Sequence, residues 1–161
     1  MIIIIEGPDG SGKSRFAEQL SEAINWPVLH NGGPPKDQEE IIDRVRKRNQ
    51  LDNTILDRHP IISENVYGPV LRGTWHLPLE QWLYQFPANA ILIYCTAERF
   101  TQLDQKEHKS AEHIKEVLVR EKAIRKAYDD IISNFNAIHY DWRKDSCAEL
   151  ISLIAEKISK K

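Results

Sequence analysis

Cysteine is scarce: the chain carries only Cys95 and Cys147, with no Cys-x-x-Cys spacing. This excludes a disulfide framework and predicts free thiols in a reducing compartment. The six histidines, His30, His59, His76, His108, His113 and His139, lack the i, i+4 pairing or cysteine partners of a zinc site. Neither sign of charge is in excess, since 22 basic and 24 acidic side chains leave a formal charge of −2. That balance argues against a histone-like or membrane-surface role and makes nucleic acid a poor partner. Long apolar runs are missing as well. The opening Ile2-Ile3-Ile4-Ile5 has no basic flank and is shorter than the roughly 7–15-residue core of a signal peptide. No run approaches the roughly 18 residues that span a bilayer. A cytoplasmic protein without a membrane partner is the expectation. Glycine and proline are also few, seven and eight of 161 residues, while 41% of the chain is apolar. A disordered or collagen-like chain is thereby excluded, and a single domain over residues 1–161 is predicted.

What is present is an alternation of strand and helix signals. Ile2 to Ile5 is a continuous β-branched run, the pattern of a strand buried on both faces of a parallel sheet. Phe16, Leu20, Ala23 and Ile24 recur at helical spacing over 13–24. Val28-Leu29-His30 is a short second strand, ended by Asn31-Gly32-Gly33-Pro34-Pro35. A helix over 37–50 carries Ile41, Ile42 and Val45, and a third strand, Asn53 to Asp57, ends on a carboxylate. Two helices are predicted at about 61–71 and 78–86, then a buried strand at 90–95 and a polar stretch at 98–110. A long helix, a fifth strand at 137–140 and a final helix follow. The alternation predicts an α/β fold, a five-stranded parallel sheet with helices on both faces.

Gly7-Pro8-Asp9-Gly10-Ser11-Gly12-Lys13-Ser14 matches the phosphate-binding pattern Gly-x4-Gly-Lys-Ser/Thr and falls between a buried strand and a helix start. Gly7, Gly10 and Gly12 let the backbone curl, so that its N–H groups, including that of Ser11, face phosphate oxygens. Lys13 reaches the β and γ phosphates, and the Ser14 hydroxyl serves Mg²⁺. ATP and Mg²⁺ are the ligands expected. Asp57, at the end of a buried strand, suits a carboxylate acting on Mg²⁺ through water, the alternative being a helix N-cap. Arg58 follows and faces the same crevice as a donor for a second, anionic substrate, or makes a surface ion pair. Asp9 sits where a negative charge beside a triphosphate is costly. It either serves an acceptor hydroxyl or bonds its own turn.

The segment Ile5 to Ser14 resembles the phosphate-binding loop of thymidylate kinases, which carry an aspartate at the position of Asp9. Asp57-Arg58-His59, with Ser63 and Tyr67 downstream, is similar to that family's acidic-Arg motif, with the serine one residue further along. The short chain looks like the compact deoxynucleotide kinases of bacteriophages. The resemblance implies a three-layer P-loop kinase fold and a deoxynucleoside monophosphate (dNMP) kinase. Asp9 would then lie near the sugar 3′-hydroxyl or acceptor phosphate, Arg58 on that phosphate, and Tyr67 against the deoxyribose. Either Arg44 or Arg48, four apart on helix 37–50, would also bind the acceptor phosphate. A lid over 98–110 would supply the catalytic arginine, Arg99, with Lys106, Lys109, Arg120 and Arg125 as alternatives. Arg72, Trp75 and Trp82 are candidates for the base pocket, and Trp142-Arg143 for the adenine of ATP. Homodimers are common in the family, and helices 61–71 and 78–86 either bury against a twin or close the monomer's own core.

Two other readings compete. A hydroxyl acceptor, on a nucleoside or a modified base in DNA, would need a general base near Asp9 or Asp57 and less positive charge. A GTP-dependent switch would need an Asn-Lys-x-Asp element and a glycine where Pro60 stands, and the chain has neither.

Overall fold

The computed structural model describes residues 1–97 and 111–160, the backbone alone for 111–118. The isoleucine run forms β1 (Ile2–Glu6), buried at every position. Alternate side chains enter opposite layers, as a pleated strand requires. Ile3 and Ile5 pack against Phe16, Ala17 and Leu20 of α1 (Lys13–Ile24) and Leu150 and Ile154 of α6 (Cys147–Ser159). On the other face Ile2 and Ile4 meet Ile62 and Val66 of α3 (Pro60–Tyr67) and Tyr128 and Ile132 of α5 (Ala111–Ile132). The buried face of α1 centres on Ala17, and Ala23 is exposed. Leu20 and Ile24 sit one turn apart on the core side, which leaves Ala23 on the flank.

The remaining strands are β2 (Val28–His30), β3 (Thr54–Asp57), β4 (Ile91–Cys95) and β5 (Ala137–Tyr140). They form one parallel sheet in the order β2-β3-β1-β4-β5. Helices cover both faces, as expected from the alternating pattern. The chain leaves β1 through α1 on one face and β3 through α3 on the other. That divergence opens a crevice at the carboxyl ends of these neighbouring strands. Register sets Asp57 beside both His30 and Ile5, so the carboxyl ends of three strands share one edge.

The region after β3 differs from expectation. Helix α3 stops at Tyr67, and Gly68–Arg72 widens into a π turn closed by Gly73, whose N–H donates to the Pro69 carbonyl at 3.0 Å. Pro69 has no N–H to continue the ladder, and Gly73 takes the left-handed φ of 72° that ends it. The predicted helix at 78–86 is a single turn, α4 (Leu79–Trp82), then a tight turn over Leu83–Gln85, framed by Pro78 and Pro87. Trp82, weighed for a base pocket, packs instead beside Ile41, Val45, Ile61 and Leu77. Helix α2 (Gln38–Asn49) is capped by Asp37, whose side chain accepts from the Glu40 N–H at 2.8 Å. Cys95 is buried and Cys147 half-buried, both as free thiols. No helix among the described residues is long and apolar enough to cross a membrane.

Candidate active site

The loop Gly7–Ser14 lies at the carboxyl edge of β1 and opens α1. Gly7, Gly10 and Gly12 have φ of 149°, 76° and 87°, conformations that L side chains rarely adopt. Space forbids a side chain too: a Cβ on Gly7 would lie 2.5 Å from the Cys95 carbonyl oxygen, and one on Gly12 2.6 Å from Cδ1 of Trp142. No side chain caps α1 and its first turn holds no acidic residue. Its N–H groups and dipole are thus available to an anion. The buried Ser11 Oγ has no hydrogen-bond partner among the described residues, and Lys13 is buried with Nζ 3.9 Å from Asp9. Burial lowers the Lys13 pKa, a cost offset when phosphate oxygens surround the ammonium.

The Ser14 hydroxyl lies 3.5 Å from Asp57 Oδ2. The same oxygen meets His30 Nδ1 at 2.9 Å, and the buried Oδ1 is without a partner among the described residues. His59, and not Asp57, is the N-cap of α3, accepting from the Ile61 N–H at 3.3 Å. Asp57 is therefore left facing the crevice, with one orphaned oxygen beside Ser14. A hard cation bound through water suits that donor set.

Arg58 takes φ 74°. The other non-glycine residues with left-handed φ among those described are Asn25 and Asn53, of a type that tolerates it. Arg58 is held there by its own N–H, which donates to the Ile5 carbonyl at 3.0 Å. Its Nη2 donates to Asp9 Oδ1 at 2.6 Å and to the Tyr67 hydroxyl at 2.8 Å, with Cζ 4.9 Å from the Tyr67 ring centroid. Its Nε is buried without a hydrogen-bond partner among the described residues. Strain of this kind persists where surrounding structure imposes it, typically at functional sites.

Beside Arg58 lies a cavity of about 200 Å³, lined, among the described residues, from the stretch 31–72. Arg44, Arg58 and Arg72 reach it, as do Tyr67 and Glu64. Arg44 is braced by the Gly33 carbonyl at 2.6 Å and Glu40 at 2.5 Å. Arg72 is braced by Glu64 Oε1 at 2.5 Å, an oxygen that also accepts from the His76 N–H at 2.7 Å. Gly68 makes room for this pair, since a Cβ there would lie 3.0 Å from both partners and 2.8 Å from the Thr74 carbonyl.

The remaining expected residues fall elsewhere. Arg48 does not line the cavity; its Nη2 donates to the His30 carbonyl at 3.0 Å. Trp75 is half-exposed and off the cavity wall. Trp142 lies against Gly12, while Arg143 is tied to Asp141 by bonds of 3.0 and 2.8 Å. Arg125 donates to the Thr96 and Ala97 carbonyls just past β4, and Arg120 is exposed. Arg99, Lys106, Lys109 and the expected lid at 98–110 lie outside the described residues.

Four participants were not legible in advance. Glu6 is fully buried behind the loop, where burial pushes its carboxyl up to about 7. His30, Glu64 and Tyr128 join the site through contacts remote in sequence. For Glu6 a signal existed, a carboxylate closing a run of four buried isoleucines; the others carried none.

No protein-family model matches the chain. It is 24% identical over 147 residues, 88% of its length and 87% of the other's, to the uncharacterised prophage-derived protein YorR of Bacillus subtilis. The crystal structure of YorR with phosphorylated GDP superposes with a TM-score of 0.76 at 22% identity, covering 99% of this chain and 96% of that one. Deoxyadenosine kinase from M. mycoides with bound dCTP gives 0.64 at 20% identity, over the whole of both chains. Thymidylate kinase from Ehrlichia chaffeensis gives 0.52 at 16%, over all of this chain and 98% of that one. The chain has the α/β fold of the P-loop nucleotide and nucleoside kinases.

Proposed function

We propose that the protein is an ATP- and Mg²⁺-dependent deoxynucleoside monophosphate kinase that transfers the γ-phosphoryl group of ATP to a dNMP. The observation that carries this reading is the cavity beside the loop, which Arg44, Arg58 and Arg72 line, with the buried Arg58 Nε without a hydrogen-bond partner among the described residues. A phosphate-bearing acceptor supplies the oxygen that Arg58 Nε lacks, in the planar geometry arginine favours. The likeness in fold to thymidylate kinase and deoxyadenosine kinase, and the complex of YorR with phosphorylated GDP, agree with it.

In this reading the uncapped N-terminus of α1 and Lys13 hold the donor phosphates, and Ser14 and Asp57 would hold Mg²⁺. The metal, when bound, neutralises charge on the phosphates. Arg58 fixes the acceptor phosphate against the loop, with Arg44 at its side. Asp9 sets the Arg58 fork, and Tyr67 packs under it where a sugar would sit. Phosphoryl transfer asks the protein chiefly for alignment and gathered positive charge, and Arg58 and Lys13, both beside Asp9 Oδ1, supply that charge. Arg72, held by Glu64, lies on the wall available to a base.

A second reading has an observation of its own. The His30–Asp57 hydrogen bond places a histidine at the crevice able to take a proton from an acceptor hydroxyl. Incubation with Mg²⁺ and ATP against dNMPs, deoxynucleosides and single-stranded DNA separates the two. Conversion of a monophosphate to a diphosphate is expected. Labelling of a nucleoside or DNA with monophosphates untouched would transfer the assignment to the hydroxyl kinase and make His30 its base.

A further inference from the structure

Glu6 has no part in the chemistry described so far, yet its hydrogen bonds lead to Arg58 from two sides. Its Oε1 accepts from the His59 backbone N–H at 2.6 Å, fixing the peptide that follows Arg58. The Arg58 N–H is already held by the carbonyl of Ile5, the neighbour of Glu6 on β1. The left-handed turn is therefore clamped from two consecutive residues of one buried strand. The second oxygen, Oε2, accepts from the Tyr128 hydroxyl at 3.3 Å. The Tyr128 ring meets the Tyr67 ring edge-on at 6.0 Å, and the Tyr67 hydroxyl accepts from Arg58. One carboxyl group thus reaches the backbone of Arg58 through His59 and its guanidinium through Tyr128 and Tyr67.

We propose that Glu6 is the positioning residue of the acceptor site, fixing Arg58 from the backbone and side-chain directions at once, and that anion binding at the site is coupled to proton uptake by this carboxyl. The inference rests on Arg58 and Lys13 being phosphate ligands, as in the function proposed above. The groups that act on Glu6 are few. Arg58 and Lys13 favour its charge, as do the hydrogen bonds from His59 N–H and the Tyr128 hydroxyl, against the dominant effect of burial. The Tyr67 phenol is neutral in the physiological range, burial pushing it up to about 12. The His59 ring is turned away, with Nε2 on Asn49 Oδ1 at 3.1 Å and Nδ1 on the Ile61 N–H, and burial keeps it neutral. A phosphate arriving at Arg58 and Lys13 brings negative charge toward a carboxylate those cations were stabilising. The carboxyl then takes up a proton, and the positive field at the anion is strengthened.

The test uses the full chain and does not depend on turnover. In ¹H–¹⁵N spectra from pH 5 to 9, the His59 amide and Arg58 Nε signals of the wild type are expected to titrate with a midpoint near 7. Inorganic pyrophosphate is expected to move that midpoint upward by about one pH unit. Glu6→Gln keeps an acceptor for the His59 N–H and should abolish the titration while leaving both signals in place. Glu6→Met removes the acceptor and should displace them. With the dNMP the wild type phosphorylates, Glu6→Met is expected to raise the acceptor KM about tenfold at every pH, with the KM for ATP little changed. Glu6→Gln should flatten the pH profile of the acceptor KM. A titration that persists in Glu6→Gln, or a midpoint indifferent to pyrophosphate, overturns the inference. Failure of the wild type to phosphorylate any monophosphate sinks the proposed function and leaves the spectroscopic result to decide this one. Should Glu6→Met not fold, the Glu6→Gln spectra decide alone.

Discussion

Replacing Arg58 by glycine and by alanine separates what the residue does for the fold from what it does for a substrate. Both substitutions lose the bonds from Nη2 to Asp9 and Tyr67. The Asp9 side chain is 56% exposed, so that ion pair contributes little to folding once solvent screening is counted. The two variants differ in how they occupy φ 74°. Alanine keeps the left-handed penalty of roughly 1–2 kcal/mol. Glycine escapes it but loses about 0.5–1 kcal/mol more chain entropy on folding. At the midpoints of these ranges the balance favours Arg58→Gly over Arg58→Ala by about 0.75 kcal/mol, the reverse of the usual order in regular structure. For a chain of this length that is a Tm higher by roughly 1–4 °C, readable by differential scanning calorimetry. In a coupled assay for ADP release, both variants should lose about 10²–10³-fold in kcat/KM for the acceptor, the scale of one deleted preorganised donor. Nucleotide binding measured by calorimetry should change far less. A higher Tm for the alanine variant would refute the claim that this backbone is strained, and equal loss of ATP and acceptor binding would refute the assigned role.

Other perturbations test other parts of the site. Lys13→Ala is expected to abolish phosphoryl transfer with Tm unchanged or raised, because a buried ammonium with a lowered pKa is removed; a cooperative melt alongside the activity assay decides. In Gly12→Ala the new methyl meets the Trp142 ring, so ATP binding should weaken at least about tenfold and tryptophan emission should shift. Gly68→Ala has an ordinary helical φ of −54°, so its effect is steric: about 1–2 kcal/mol of destabilisation by urea denaturation, and altered preference among bases as the Arg72–Glu64 pair moves.

Stability against pH carries a further signature. Burial raises Glu6 from 4.5 to about 7, so the folded state holds the extra proton and stability falls as pH rises through that window. Burial lowers His59 from 6.5 to about 3, so there the unfolded state holds it and stability rises with pH. Between about 4.5 and 6.5 the slopes oppose, and the wild-type contribution is level. In Glu6→Gln only the histidine slope remains, about 1.4 kcal/mol per pH unit. Urea midpoints taken every half unit would reveal it, and a level profile in the variant would contradict the assignment.

The sheet and its helices were legible because burial on two faces leaves little freedom in composition: four isoleucines in a row admit few other roles. The loop was legible because its glycines answer a steric demand local to the sequence. The segment after β3 was less so, since Pro69 and Gly73 convert a helical pattern into a π turn and a bend. Within the site, Lys13, Ser14, Asp57 and Arg58 followed from adjacency to strand ends. Arg44 reaches the cavity while Arg48, one turn on, is held by the His30 carbonyl, a difference decided by the path of the 31–35 loop. Glu64 and Tyr128 escaped notice because an apolar helix face and a site residue look alike until a partner arrives from elsewhere.

Every described residue lining the cavity beside Arg58 comes from one uninterrupted stretch of chain, 31 to 72. The contact on the donor side, Trp142 against Gly12, joins segments outside it. In the proposed function such a layout makes the cavity's share of acceptor preference heritable as a unit. A crossover on either side of that stretch, one just past β2 and the other just past the π turn, would carry the cavity lining, with β3 inside it, from one gene to another. The phosphate loop, α1 and strands β1, β4 and β5 would pass through unaltered. Retargeting to a new nucleotide would then require exchange of a cassette rather than coordinated change across the whole chain.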